Sequence, residues 1–151
     1  MPSIARLLRF APWERRVVAR ALILLPLTAF RIRRLGLRRA QLLAMAAPRG
    51  APASAAEPAA RAARIARLVD VVARKGPFRA SCLPASLTLQ RLLSEAGIES
   101  QLRLGVRKVA GRLEAHAWIE REGVALSDSA QAREGFAAFD GPVAPPAGAL
   151  R

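Results

Sequence analysis

The hydrophobic period of the chain changes once, and that change confines the fold. As far as Gly97, apolar residues recur at helical spacing. Ile65, Leu68, Val69 and Val72 fall at i, i+3, i+4 and i+7, one stripe of a helix. Beyond Gly97 they alternate. Leu102, Leu104 and Val106 are interleaved with Gln101, Arg103 and Gly105, which reads as a strand. Leu113, Ala115, Ala117 and Ile119 are interleaved with Glu114, His116, Trp118 and Glu120, a second strand. Ala110-Gly111 and Glu122-Gly123 mark turns, and Val124-Ala125-Leu126 forms a short third strand ending in Ser127-Asp128. Helices followed by an antiparallel meander make an α+β chain.

The helical half divides further. Ala11-Pro12-Trp13-Glu14 reads as a helix start, with proline in the first turn where its missing N–H costs nothing. That helix is expected to reach Leu25, with Pro26 kinking or ending it, and Leu35 to Met45 to form another short helix. Residues 46–60, AAPRGAPASAAEPAA, have no hydrophobic period and read as a linker. Helical patterning returns over 61–75 and stops at Gly76-Pro77. Ser81 then serves as a candidate N-cap, and Pro84 is tolerated only in a first turn. The helix that follows carries Leu83, Leu87, Leu92, Leu93 and Ala96 and stops at Gly97, so Cys82 lies at a helix start. The tail from Phe136 is rich in Ala, Pro and Gly and is expected to be irregular. The expected organisation is a basic helical segment at 1–45, a linker at 46–60, a domain at 61–140 and a tail at 141–151.

The formal net charge is +14, but its placement is uneven. Residues 1–50 hold 11 Arg and one acid, Glu14, for +10; residues 51–151 hold 14 basic and 10 acidic residues, for +4. A basic arm of this kind suits nucleic acid, an anionic lipid surface or an acidic peptide, or is a solvated helix face. Nucleic acid is disfavoured, since no binding module or aromatic platform is evident. The stretch from Val17 to Phe30 has only 14 residues and is interrupted by Arg20, whereas a bilayer span needs ~20 apolar residues. The apolar run from Ala21 to Phe30 has the length of a signal core, but it contains Pro26 and is followed by Arg31, Arg33 and Arg34 rather than a small-residue cleavage site, so it does not read as an export signal. A cytoplasmic location is expected, with residues 1–45 as a candidate peripheral contact at the inner membrane surface.

One cysteine excludes an internal disulfide, and one cysteine with one histidine cannot make the usual four-ligand zinc site. The same scarcity leaves a single assignment for cysteine catalysis. A thiol is mostly protonated at neutral pH, and the positive end of a helix favours its thiolate. Cys82 at a helix start suits a nucleophile. His116 in mid-strand suits its base. Asp128 could orient the imidazole if the second hairpin is centred on Glu122, which sets it opposite His116 on the same sheet face. Taken singly, the cysteine reads equally as a small buried hydrophobe, the histidine as structural, the aspartate as a turn residue and Trp118 as core.

The run SCLPASLTLQRLLSEAGIESQLRLGVRK, followed by LEAHAWIEREGVALSD, resembles the transglutaminase-like cysteine peptidases of lasso peptide biosynthesis. The resemblance spans about residues 61–139, and the Arg/Leu-rich N-terminal segment is similar as well. It implies a papain/transglutaminase-like fold, with a nucleophile helix packed on a small antiparallel sheet. It implies Cys82 as nucleophile, His116 as general base and acid, and Asp128 as the orienting acid, with no metal or other cofactor. The implied reaction removes the leader from a ribosomally made lasso precursor peptide. The implied partners are a separate leader-recognition protein and an ATP-dependent, asparagine-synthetase-like cyclase that closes the macrolactam. The oxyanion would be held by N–H groups near Cys82; neither Gln90 nor Gln101 is assignable as a side-chain donor. Two other functions stay open: acyl transfer to an amine from the same thioester, and a non-catalytic basic adaptor docking a membrane or protein through residues 1–45.

Overall fold

The computed structural model describes residues 10–46, 49–51, 58–126 and 135–139. Three helices come first: α1 (Pro12–Met45), α2 (Pro58–Lys75) and α3 (Cys82–Glu95). Four strands follow: β1 (Gln101–Val109), β2 (Arg112–Arg121), β3 (Val124–Ala125) and β4 (Ala137–Ala138). They form one antiparallel sheet in the order β3-β2-β1-β4. The α+β reading and the helix-on-sheet arrangement hold.

The sheet's two faces follow from the alternation. Leu102 pairs with Ile119 and Leu104 with Ala117 on the face that meets the helices. Leu102, Ala117 and Ile119 join a core with Leu87, Leu92 and Leu93 of α3 and with Ile65 and Val69 of α2. Full burial of each such Leu, Ile or Val side chain stabilises by about 1.5–3 kcal/mol. The stripe expected on α2 is the stripe that is buried, and the helix starts at Pro58, three residues before the patterned stretch.

Of a kink or an end expected at Pro26, the end does not occur: α1 continues as helix to a break at Gly36, whose φ of 79° and ψ of 166° are non-helical. The break falls beside Leu35, where a further helix to Met45 is expected to begin. A proline removes one backbone bond, a local cost. Here Leu24 and Leu25 are buried in the common core, and Thr28 meets Thr88 of α3 in a buried hydroxyl contact at 3.4 Å. That packing holds the helix through the defect. At Gly36 the left-handed φ is open to glycine at little cost. The start of α1 is pinned by Glu14: its buried carboxylate accepts from the Ala11 N–H at 2.8 Å and from Arg64 on α2. Hydrogen bonding from Arg64 holds this carboxyl below its ordinary pKa.

Two further differences lie at the connections. The Gly50 N–H donates to the Ser94 carbonyl, and a Cβ on Gly50 would stand 1.9 Å from the Glu95 carbonyl oxygen. This part of the expected linker therefore lies tight against the end of α3. The tail is not wholly irregular: Ala137 and Ala138 pair with Val106 and Gly105, and the Phe139 N–H donates to the Leu104 carbonyl at 3.0 Å.

Candidate active site

Helix α3 begins at Cys82, as its proline and leucine pattern requires. Ser81 takes the N-cap position with extended backbone, yet its side chain makes no cap hydrogen bond. First-turn N–H groups have no intrahelical acceptor. Pro84 lacks one, which leaves those of Cys82 and Leu83 pointing out of the helix start. Cys82 itself is half-buried and reduced.

The start of α3 is tied to β2. The buried Ser86 hydroxyl, one helical turn after Cys82, donates to the Ala117 carbonyl at 3.1 Å. That bond joins the helix just beyond Cys82 to the residue after His116, fixing where the two elements meet. Cys82, Ser86, His116 and Ala117 all line one cleft of about 180 Å³, bounded on its α2 side by Asp70 and Arg74. Asp70 and Arg74 form an ion pair at 2.9 Å across one helical turn. Both faces of β2 contribute to the lining, so the cleft wraps the strand's edge.

His116 belongs to the sheet face turned away from the core. It lies opposite Gly105, next to the Arg103–Trp118 and Arg107–Glu114 pairs. Its ring stacks on Trp118 with centroids 6.1 Å apart, and Phe136 covers it at 5.4 Å. Arg107 sits over the Phe136 ring at 4.4 Å and reaches the Glu114 carboxylate at 2.8 Å. The imidazole Nε2 is buried with no hydrogen-bond partner among the described residues. Burial in this aromatic box lowers the histidine's pKa from its ordinary 6.5, and the positive charge of Arg107 lowers it further. At neutral pH the ring is therefore a neutral base, able to accept a proton.

Trp118 is 2% exposed, with its indole N–H donating to Glu120 at 2.8 Å. It is buried on the histidine's face rather than in the central core. Its space is made by Gly105: a Cβ there would stand 2.9 Å from two Trp118 ring carbons and 3.1 Å from the Ala137 carbonyl. Gly105, Ser86 and Phe136 are not among the candidate site residues read from the sequence. A glycine inside a strand is a signal of close approach; nothing in the pattern distinguishes Ser86 or Phe136.

The second hairpin is not centred on Glu122. Arg121 pairs with Val124 and Glu120 with Ala125, so the turn falls between Glu122 and Gly123. Both turn residues have positive φ, 51° and 78°, the two-residue turn that matches strand twist. The registration that set Asp128 opposite His116 loses its premise, because pairing is offset by one residue and one residue exchanges the faces. Asp128 itself lies outside the described residues.

Among the described residues, no group of three or more His, Cys, Asp or Glu could hold a metal ion. No helix among them is long and apolar enough to cross a membrane. A family model described as the transglutaminase-like superfamily matches residues 21–139, from within α1 to just beyond β4. No curated protein and no solved structure matches the chain.

Proposed function

The chain belongs to the transglutaminase-like superfamily, and from that premise we propose that it is a cysteine peptidase removing the leader from a lasso precursor peptide. The observation that carries the reading is the shared cleft: the thiol at the start of α3 and the lone imidazole of the chain line the same cavity. A neutral His116 takes the Cys82 proton as the sulfur attacks the carbonyl at the leader–core junction. The oxyanion develops beside the N–H groups of Cys82 and Leu83, which need no reorganisation to receive it. The C–N bond breaks as His116 returns the proton to the departing amine of the core. Water, deprotonated by His116, then hydrolyses the thioester and frees the leader carboxylate. Asp128 is the proposed orienting acid for His116. The freed core amine passes to a separate ATP-dependent cyclase, and a separate protein presents the leader.

The test combines this protein, the leader-recognition protein and the precursor, and follows products by mass spectrometry. The expected result is two fragments whose masses sum to the precursor plus water, lost in Cys82→Ala and in His116→Ala. Incorporation of an added primary amine at the new carboxyl end would replace hydrolysis by acyl transfer. Intact precursor throughout would overturn both.

A further inference from the structure

Helix α1 carries a second amphipathic pattern that the core does not use. Its buried residues Ala21, Leu24, Leu25 and Thr28 centre on one side. At ~100° per residue, Ala19, Ile23 and Phe30 cluster within about 40° of one another, almost diametrically opposite that side. Ile23 is 66% exposed and Phe30 57%, and Leu22 and Leu27 extend the apolar strip at its edges. Arginines close both ends of the strip. Arg15 and Arg16 precede it, and Arg33 and Arg34 follow it, all four exposed. None of these four forms an ion pair with a described residue; Arg20, nearer the core, is taken by Glu95. The strip from Ala19 to Phe30 is about 16 Å long, and Arg16 and Arg34 lie about 27 Å apart along the axis.

We propose that the outward face of α1 docks on an anionic phospholipid bilayer, with Ile23 and Phe30 inserted and the flanking arginines on lipid phosphates. The charge arrangement selects this occupant. Guanidiniums with no ion-pair partner among the described residues, at both ends of an exposed apolar strip, match an interface that offers acyl chain at its centre and phosphate all round it. A helix of this kind lies in the interfacial plane with its apolar side sunk ~5–10 Å. The long arginine stems let the charged ends reach phosphate level; the Arg34 guanidinium lies over the Phe30 ring, 5.5 Å from its centroid. No residue of α1 lines the Cys82 cleft, so docking on this face leaves the cleft open. The inference is independent of the peptidase reading.

The experiment is flotation of the purified full chain with phosphatidylglycerol/phosphatidylcholine vesicles and with phosphatidylcholine alone. Binding to the anionic vesicles only, weakening as salt rises, is expected. Arg33→Gln/Arg34→Gln should reduce partitioning about 25-fold, near fivefold for each charge removed. Ile23→Ser/Phe30→Ser should reduce it tenfold or more. Both double variants alter only outward side chains, so circular dichroism and Cys82 alkylation rate should match wild type. The proposal is overturned if the chain stays in solution with anionic vesicles, or if either double variant floats as wild type does. It is also overturned if light scattering shows a dimer that Ile23→Ser/Phe30→Ser dissolves, since the strip would then hold a second copy.

Discussion

Replacing Gly105 by alanine adds one methyl group where three atoms already stand close. Two of them, the Trp118 ring carbons at 2.9 Å, belong to a buried indole anchored on Glu120. The third, the Ala137 carbonyl at 3.1 Å, is backbone of the strand that pairs with β1. None is the free end of a flexible chain, so the ring or β4 must move. Overpacking of this kind costs about 1–3 kcal/mol. At about 2–4 °C per kcal/mol for a chain of this size, the melting temperature should fall by roughly 2–12 °C. The displaced indole is the one stacked on His116. A 1 Å misplacement near a reacting group costs about 100-fold, so a shift of half that should slow turnover about tenfold. Gly123→Ala is the control. Its φ of 78° imposes strain of about 1–2 kcal/mol, but no atom lies within 4 Å of the added Cβ. The two variants, compared by differential scanning calorimetry and by precursor cleavage, should lose stability alike while only Gly105→Ala loses rate. Wild-type melting and wild-type cleavage in Gly105→Ala would refute the packing argument.

Other outcomes follow from single contacts. Arg107→Gln removes a positive charge beside His116, so the imidazole's pKa should rise and the acid limb of kcat/KM should move to higher pH; an unmoved limb counts against the box. Because burial and Arg107 lower the histidine's folded-state pKa, the unfolded chain binds the proton first. Stability should therefore fall as pH drops below the ordinary 6.5 and level off below the folded value, a slope His116→Gln should abolish in a chemical-denaturation series. Ser86→Ala removes a buried hydroxyl bond to Ala117 and should cost about 1–2 kcal/mol in urea titration while lowering kcat more than KM. Glu14→Gln weakens the tie between α1 and α2. It should also flatten the loss of stability that the lowered Glu14 pKa imposes as acid pH protonates the wild-type carboxylate.

What the sequence made legible is what period and chain stops determine. The Ile65–Val72 stripe, the Cys82 helix start and the β1–β2 hairpin each rest on several agreeing residues. Pro26 does not end α1, because the tertiary packing of Leu24, Leu25 and Thr28 overrides the local defect. The β4 strand escaped notice because two alanines carry no alternation; only Gly105, the strand residue they approach, hinted at a neighbour. The second hairpin shows how narrow the margin is. Its centre lies between Glu122 and Gly123 rather than at Glu122, and that half-residue removes the ground for setting Asp128 opposite His116. The proposed nucleophile and base, Cys82 and His116, were readable because the chain offers one cysteine and one histidine. Their surroundings — Ser86, Phe136, Arg107 — come from distant segments and could not be read along the chain.

That Cys82 forms the covalent intermediate of the proposed reaction is tested most directly by acid-quenched mass spectrometry. After brief mixing with presented precursor, a thioester of leader mass is expected on the peptide containing Cys82. The adduct should be absent in Cys82→Ala and in His116→Ala and removed by hydroxylamine. Cleavage that persists in Cys82→Ala, or an acyl adduct on any other residue, would contradict it.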